Sequence, residues 1–220
     1  MELEKIYKRR FEKEVIFRDG LYKLLCSNFF QKYVSESSTI LEVASGYCEF
    51  INNIKAKKKI ALDFNSDAKK FANKEVDVLI SDSTRMDGVR DSSVDVVYIS
   101  NFLEHLTKPD IIKTIKEIYR VLRAGGKIIL LQPNIRYCYK DYWMFFDHVT
   151  PLDDRSLCEV LEINGFNIVK CIPRFLPYTT KNNFPKNKFL IWLYLKFPIF
   201  WKILGGQTFI YAKKKIDLYE

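Results

Sequence analysis

Leu41-Glu42-Val43-Ala44-Ser45-Gly46-Tyr47-Cys48-Glu49-Phe50 is the stretch that decides how this chain folds. An apolar run closes on an acid, and a tight turn of small residues follows at once. That order places a carboxylate and bare backbone at the C-terminal edge of a strand, where open α/β sheets bind their ligands. Gly46 carries no side chain to block the backbone, and Ala44 and Ser45 are nearly as small. The turn is too poor in glycine to be a dinucleotide or phosphate loop.

Outward from this turn the chain alternates strand-like apolar runs with helical patterns. Thr39 to Val43 reads as the first strand, Lys59 to Asp63 as the second, Val76 to Ser81 as the third and Val94 to Ser100 as the fourth. From Asp110 to Leu122, the residues Ile111, Ile115, Ile118 and Leu122 share one helical face; Gly125-Gly126 is expected to stop that helix. Lys127 to Gln132 returns as the fifth strand. A further helix around Leu157, Val160 and Leu161 ends at Asn164-Gly165, and Phe166 to Cys171 and Gln207 to Lys213 form a final antiparallel pair. The expected fold is α/β, a three-layer sandwich around a mainly parallel seven-stranded sheet with its last strand antiparallel.

A chain of 220 residues fits one domain large enough to bury a core. Its five cysteines are scattered, with no Cys-x-x-Cys pair, so neither a disulfide framework nor a metal site is expected and a reducing cytoplasm suits them. The mixed charges from Glu2 to Arg10 are not a secretory signal. Basicity is concentrated at one end: residues 170–220 hold 10 Lys and Arg against 2 acids, while the first 169 residues are almost neutral. Such a surface attracts anionic partners such as phosphates, acidic glycans or lipid headgroups. The same region contains Lys188 to Leu204, rich in Phe, Trp and Tyr but interrupted by Lys196 and Pro198, too short to span a bilayer. It reads either as a core-facing cap helix or as a helix lying on a membrane surface or lining an aromatic acceptor site.

Five ordered blocks carry a resemblance to a known family. They are Ile40 to Phe50, Ala61-Leu62-Asp63, Ser81-Asp82-Ser83, Ser93 to Val97 with Ser100 to Leu106, and Glu117 to Gly126. Over roughly residues 38–135 the chain resembles the class I S-adenosylmethionine-dependent methyltransferases, which implies a Rossmann-like sheet and S-adenosylmethionine as cofactor. In this reading residues 1–37 form an N-terminal helical cap, 38–135 the cofactor core, 136–206 the acceptor-site and aromatic cap, and 207–213 the final strand.

The resemblance gives roles to residues that the strand-edge argument had already picked out. Glu42 would meet the cofactor's ammonium, and Ala44 and Gly46 would pass close to its methionine and ribose portion. Asp63 would accept both ribose hydroxyls, as acids do at this position in dinucleotide folds. Phe64 would pack on the adenine. Asp82 would accept the adenine amino group with Ser83 beside it, Met86 would touch the ring, and Asn101 and Phe102 would floor the site. Where the family has its first and third glycines this chain has Ala44 and Cys48. Alanine is tolerable there provided its φ stays negative. An N-terminal helix from Tyr7 to Arg18 could offer Arg10 or Arg18 to the cofactor carboxylate, or simply be a solvated charged helix.

The acceptor side is read from residues 136–151. Methylating a hydroxyl requires removal of a proton, and His148 is the expected general base, with Asp147 fixing its tautomer; a structural role for His148 is the alternative. Tyr137, Tyr139, Tyr142 and Trp143 offer flat faces for sugar rings, and Arg174 an anion contact. Glu49, Glu104 and Arg120 are given no chemistry, Asp95 is expected to brace the fourth strand, and His105 to support its loop. A looser resemblance, over 133–148, 174–179 and 206–209, is to a bacterial subgroup that modifies surface glycans and sugars. It implies O-methylation of a saccharide or a lipid- or nucleotide-linked glycan by a cytoplasmic enzyme, with peripheral contact at the inner face of the membrane. A quinone- or polyketide-type small-molecule methyltransferase and a noncatalytic partner-binding subunit remain alternatives. RNA is not expected as a partner, because no Asn-Pro-Pro-Tyr-type tetrapeptide or RNA-binding module is present.

Overall fold

The structure, a computed structural model, describes residues 15–178 and 187–216. Tyr7 and Arg10 lie outside the described residues. The first helix, α1 (Val15–Asn28), leads into a 3-10 turn at Phe30–Tyr33 and then β1 (Thr39–Val43). There follow α2 (Glu49–Asn53), β2 (Lys58–Asp63), α3 (Ala68–Phe71), β3 (Val76–Ile80) and β4 (Val94–Ser100). A 3-10 turn at Leu103–His105 precedes α4 (Lys108–Val121), β5 (Leu122–Pro133), α5 (Ile135–Tyr142), α6 (Asp154–Ile163) and β6 (Phe166–Ile172). The chain closes with α7 (Lys188–Lys196), α8 (Ile199–Leu204) and β7 (Gln207–Lys214).

The seven strands form one sheet in the order β3-β2-β1-β4-β5-β7-β6. β1 to β5 are parallel, and β7 runs antiparallel to both its neighbours. Strand side chains alternate between two cores, as a period of two requires. Ile40, Val96, Tyr98, Ile129 and Phe209 face one, with Phe29, Phe50, Phe175 and Trp201 from the helical side. Leu41, Val43, Val97, Ile99, Ile128 and Ile210 face the other, with Ile111, Ile115 and Ile118 of α4 and Leu157 and Leu161 of α6. Burial on both faces is what makes the central strands continuously apolar. The strand order reverses between β1 and β4, so the loop after β1 opens into the crevice where α/β folds bind ligands.

The glycine pair does not stop α4. That helix ends at Val121, where the backbone N–H groups of Ser92 and Ser93 donate to Arg120 O and Val121 O at 3.0 and 2.9 Å. Gly125 and Gly126 lie inside β5, at an irregularity where pairing with β4 jumps from Val94–Leu122 to Val96–Lys127. A Cβ at Gly126 would sit 2.8 Å from Arg123 O, and Gly125 has φ +70°, so the bulge demands both glycines. Asp95 braces the base of the sheet as expected: it accepts from Thr39 N at 2.7 Å and pairs with Arg123 at 2.7 Å.

Candidate functional site

The loop after β1 keeps a glycine backbone without the glycines. Ala44, Gly46 and Cys48 have φ of +56°, +51° and +59°, alternating along the turn. The expectation of a negative φ at Ala44 is therefore wrong. The left-handed turn survives there because alanine and cysteine bear its steric cost, about 1–2 kcal/mol per residue. One bond to β2 and one within the turn hold it in place, with Ser45 N donating to Leu62 O at 3.2 Å and Cys48 N to Ser45 O at 2.7 Å.

Asp63, the last residue of β2, clamps this loop. One carboxylate oxygen accepts from Gly46 N and the other from Asn65 N, each at 2.8 Å. Each oxygen retains a second acceptor direction. Burial raises the Asp63 pKa, and the backbone bonds oppose it. Glu42 is buried nearby, accepting from Ile51 N at 3.0 Å. Its pKa stands well above the usual range because of burial and of the neighbouring charges of Glu49 and Asp63. Three acids thus converge on the turn, one of them neutralised by Arg18, whose Nε lies 2.7 Å from Glu49 Oε1. The described part of the N-terminal helix therefore does reach the loop, but through Glu49, which sequence reasoning passed over.

Further along the edge, Phe64 is 62% exposed beside Asp63, open to a planar partner. Asp82 closes a turn with one oxygen, accepting from Thr84 N and Thr84 Oγ1 at 2.7 Å each, which lowers its pKa and leaves the other oxygen for an exocyclic amine. Ser83 and Met86 are not available in the same way. The Ser83 hydroxyl is buried against Thr114 Oγ1 at 2.9 Å, tying the loop to α4, and Met86 is fully buried in the core. Asn101 follows β4 at φ +46°, a conformation asparagine tolerates, and Phe102 comes next, half-buried.

The acceptor side is built around the chain beyond β5. Buried Asn134 anchors it, donating to Asp154 Oδ1 at 2.7 Å and Thr208 Oγ1 at 3.0 Å. Residues 149 and 150 are stitched back to the turn after β4. Val149 N and Thr150 N donate to Glu104 O at 2.8 and 3.0 Å, and Thr150 Oγ1 donates to Leu106 O at 2.6 Å. That stitching brings His148 to Glu104 and His105. The His148 side chain is only 3% exposed, packed against Tyr142 and Phe145, with Nε2 4.0 Å from Glu104 Oε1. The ring of His148, the expected general base, is therefore buried behind aromatic neighbours rather than open to an acceptor. Asp147 turns its carboxylate to His105 instead, 3.4 Å from Nδ1, because adjacent side chains diverge. Glu104, given no chemistry from sequence, is almost fully buried between the two histidines and bonded to Gln132 Nε2.

Three of the five expected acceptor contacts are otherwise engaged. Tyr142 is buried, its hydroxyl donating to Thr150 O at 2.6 Å. Arg174 caps the end of α8, donating to Gly205 O at 2.9 Å and Ile203 O at 2.6 Å. Tyr137 lies beside it, its ring 4.8 Å from the Arg174 guanidinium and 5.2 Å from that of Arg136. Trp143 is exposed as expected, together with Tyr139, Met144, Phe146 and Val149, and these form an apolar rim.

Residues 41–130 match the family described as Methyltransferase domain. The fold is that of the class I S-adenosylmethionine-dependent methyltransferases. An S-adenosylmethionine-dependent methyltransferase from Archaeoglobus fulgidus superposes with a TM-score of 0.68 at 23% identity, covering 93% of this chain and 99% of that one. One from Methanosarcina mazei gives 0.64 at 16% identity, covering 86% and 97%. The [4+2]-cyclase SpnF shares the fold at 0.60 and 16% identity, covering 90% and 81%, so the fold by itself does not fix the reaction. In sequence, the chain is 30% identical over 145 residues to a ubiquinone/menaquinone biosynthesis C-methyltransferase of Rickettsia akari. That match spans 58% of each protein, a little over half the length of the relative.

Proposed function

We propose that this chain is an S-adenosylmethionine-dependent methyltransferase. The observation that carries the reading is the left-handed turn at Ala44, Gly46 and Cys48, clamped by Asp63 and ringed by Glu42 and Glu49. Bare backbone beside buried acids suits a ligand with a sulfonium and an ammonium charge, since such a ligand compensates carboxylates that burial otherwise penalises. Asp63 would hold the ribose hydroxyls, Phe64 the adenine face and Asp82 its amino group. The cofactor, when bound, supplies an electrophilic methyl group. The protein's part is to hold the acceptor in line beyond Asn101 and Phe102, exclude water, and receive the acceptor's proton. His105 is the more open of the two histidines there, with its side chain 26% exposed.

For the acceptor we infer a saccharide or lipid-linked glycan methylated on oxygen, resting on the exposed rings of Tyr139, Trp143 and Phe146 and on the basic C-terminal quarter. The same rim and the Rickettsia akari relative favour a second reading, a quinone-type acceptor. Methyl transfer from labelled S-adenosylmethionine to lipid-linked glycans, nucleotide sugars and quinones, assayed side by side, separates them. The cofactor site is tested first by titration calorimetry: Asp63→Ala should weaken S-adenosylmethionine binding by ~2–3 kcal/mol, through loss of charge-assisted hydrogen bonds. Unchanged affinity in a folded variant places the ribose elsewhere, and no binding by the wild-type chain removes the enzyme reading.

A further inference from the structure

Glu104, His105 and His148 present three potential ligand atoms within 4.8 Å of one another, inside the fold at the C-terminal end of β4. We propose that they hold a divalent transition-metal ion, in a site of two imidazoles and one carboxylate. Hydrogen-bond geometry leads there. His105 Nδ1 lies 3.0 Å from the backbone oxygen of Asp147, which can only accept, so that nitrogen carries the hydrogen. That leaves Nε2 as the ring's ligand atom, and it faces Glu104 Oε1 at 3.8 Å. His148 Nε2 faces the same oxygen at 4.0 Å. Both separations exceed the 2.7–3.2 Å of a hydrogen bond. A divalent cation held between these atoms would draw the three ligands together.

The gap suits an ion. With Nε2 of each histidine 3.8 and 4.0 Å from Glu104 Oε1 and the three ligand atoms of the cluster within 4.8 Å of one another, the cluster is only a little wider than a tetrahedral ligand set. Nitrogen and oxygen ligands bind zinc at about 2.0–2.2 Å, so the side chains need to draw in by only a few tenths of an ångström. Neutral imidazole with carboxylate is a donor set for zinc, iron, cobalt or manganese more than for magnesium or calcium. The surroundings are those of a ligand set. Asp147 orients His105 through Nδ1, and Gln132 Nε2 binds the outer oxygen of Glu104. Partners of that kind fix the tautomer and direction of metal ligands. With three protein ligands, a position remains for an acceptor oxygen, on which the ion would act as a Lewis acid. That use rests on the methyl-transfer reading; the presence of the ion does not.

The chain contains two histidines, and both are in this cluster, which makes the test direct. The full-length, tag-free protein is titrated with Zn2+ while the imidazole nitrogen resonances are followed, and with Co2+ while its visible absorption is recorded. Both rings are expected to shift together at one equivalent of Zn2+, and Co2+ should show ligand-field bands without thiolate charge transfer. Glu104→Gln and His105→Asn should each weaken Co2+ binding at least tenfold. Unmoved imidazole signals overturn the proposal, as does a sulfur band pointing to Cys158 and Cys171, or equal binding in both variants. The wild-type titration decides the matter even if a variant fails to fold. Loss of metal binding with S-adenosylmethionine affinity retained, or the reverse, tells the failure of this proposal from that of the cofactor reading.

Discussion

Ala44 tests how much a loop backbone is worth. The turn needs left-handed φ at three alternating positions, and glycine occupies one of them. An L-residue in that region costs about 1–2 kcal/mol, whereas replacing it by glycine costs about 0.4–1 kcal/mol in chain entropy. The first term is larger, so Ala44→Gly should stabilise the protein by ~0.5–1 kcal/mol, read as a raised midpoint in chemical denaturation. A lowered midpoint would mean that the alanine methyl makes a contact worth more than the strain. Cys48→Gly should show no such gain, because it also empties a buried position. At this scale the sequence was informative where a side chain acts next to its own backbone. Glu42, Asp63 and Asp82 sit at strand ends, and the strand pattern alone locates them. The surroundings of Ser83, Tyr142 and Glu104 are not legible in this way, because their partners, Thr114, the carbonyl of Thr150 and His148, come from elements that only the tertiary fold brings alongside. The one local signal for Glu104 was its place beside His105, after the apolar pair Phe102-Leu103, and that pattern is equally common on ordinary helices.

At the scale of elements, strands are legible because the central sheet is buried on both faces and its strands are short, mainly apolar runs rich in Val, Ile and Leu. The end of α4 is not, since its stop signal is a backbone contact from Ser92 and Ser93 rather than the glycines that follow. Arg174 illustrates the same distinction in the acceptor region. It carries the charge expected of an anion contact, yet its guanidinium closes the carbonyl end of α8, where a cation also meets the negative end of the helix dipole. Arg174→Met should therefore destabilise the protein by ~1–2 kcal/mol, through loss of two charge-assisted bonds at a partly exposed position. The Michaelis constant for the acceptor should be unaltered in the fraction that remains folded. A raised Michaelis constant with an unchanged melting temperature would return the residue to substrate binding.

The whole molecule joins a near-neutral stretch of 169 residues to a basic, aromatic C-terminal quarter, and that quarter has an inward-facing and an exposed side. Ile191, Tyr194, Leu195 and Trp201 face inward, where Trp201 packs edge-on to Phe29 and Phe175. Phe189, Leu190, Trp192, Phe197, Ile199, Phe200, Ile203 and Leu204 remain exposed, with Lys188, Lys196 and Lys202 among them. Among the described residues no helix is long and apolar enough to cross a membrane. A broken helix pair with an apolar outer side and interspersed lysines has a composition compatible with an interfacial element, in which the rings would enter the acyl boundary and the ammonium groups would meet anionic headgroups. Contact of this kind would deliver a lipid-linked acceptor to the rim at Trp143 and Phe146 without the acceptor leaving the bilayer. Vesicles containing anionic lipid should therefore sediment the full-length chain, with binding reduced by salt because the lysine contribution is screened. Phe189→Ser together with Ile203→Ser should abolish sedimentation while leaving the fold intact, since both side chains are 63% exposed. Equal recovery in the supernatant with and without vesicles would assign these exposed rings to a protein partner or to a second copy of the chain, and would remove the physical argument for a lipid-linked acceptor while leaving the cofactor site untouched.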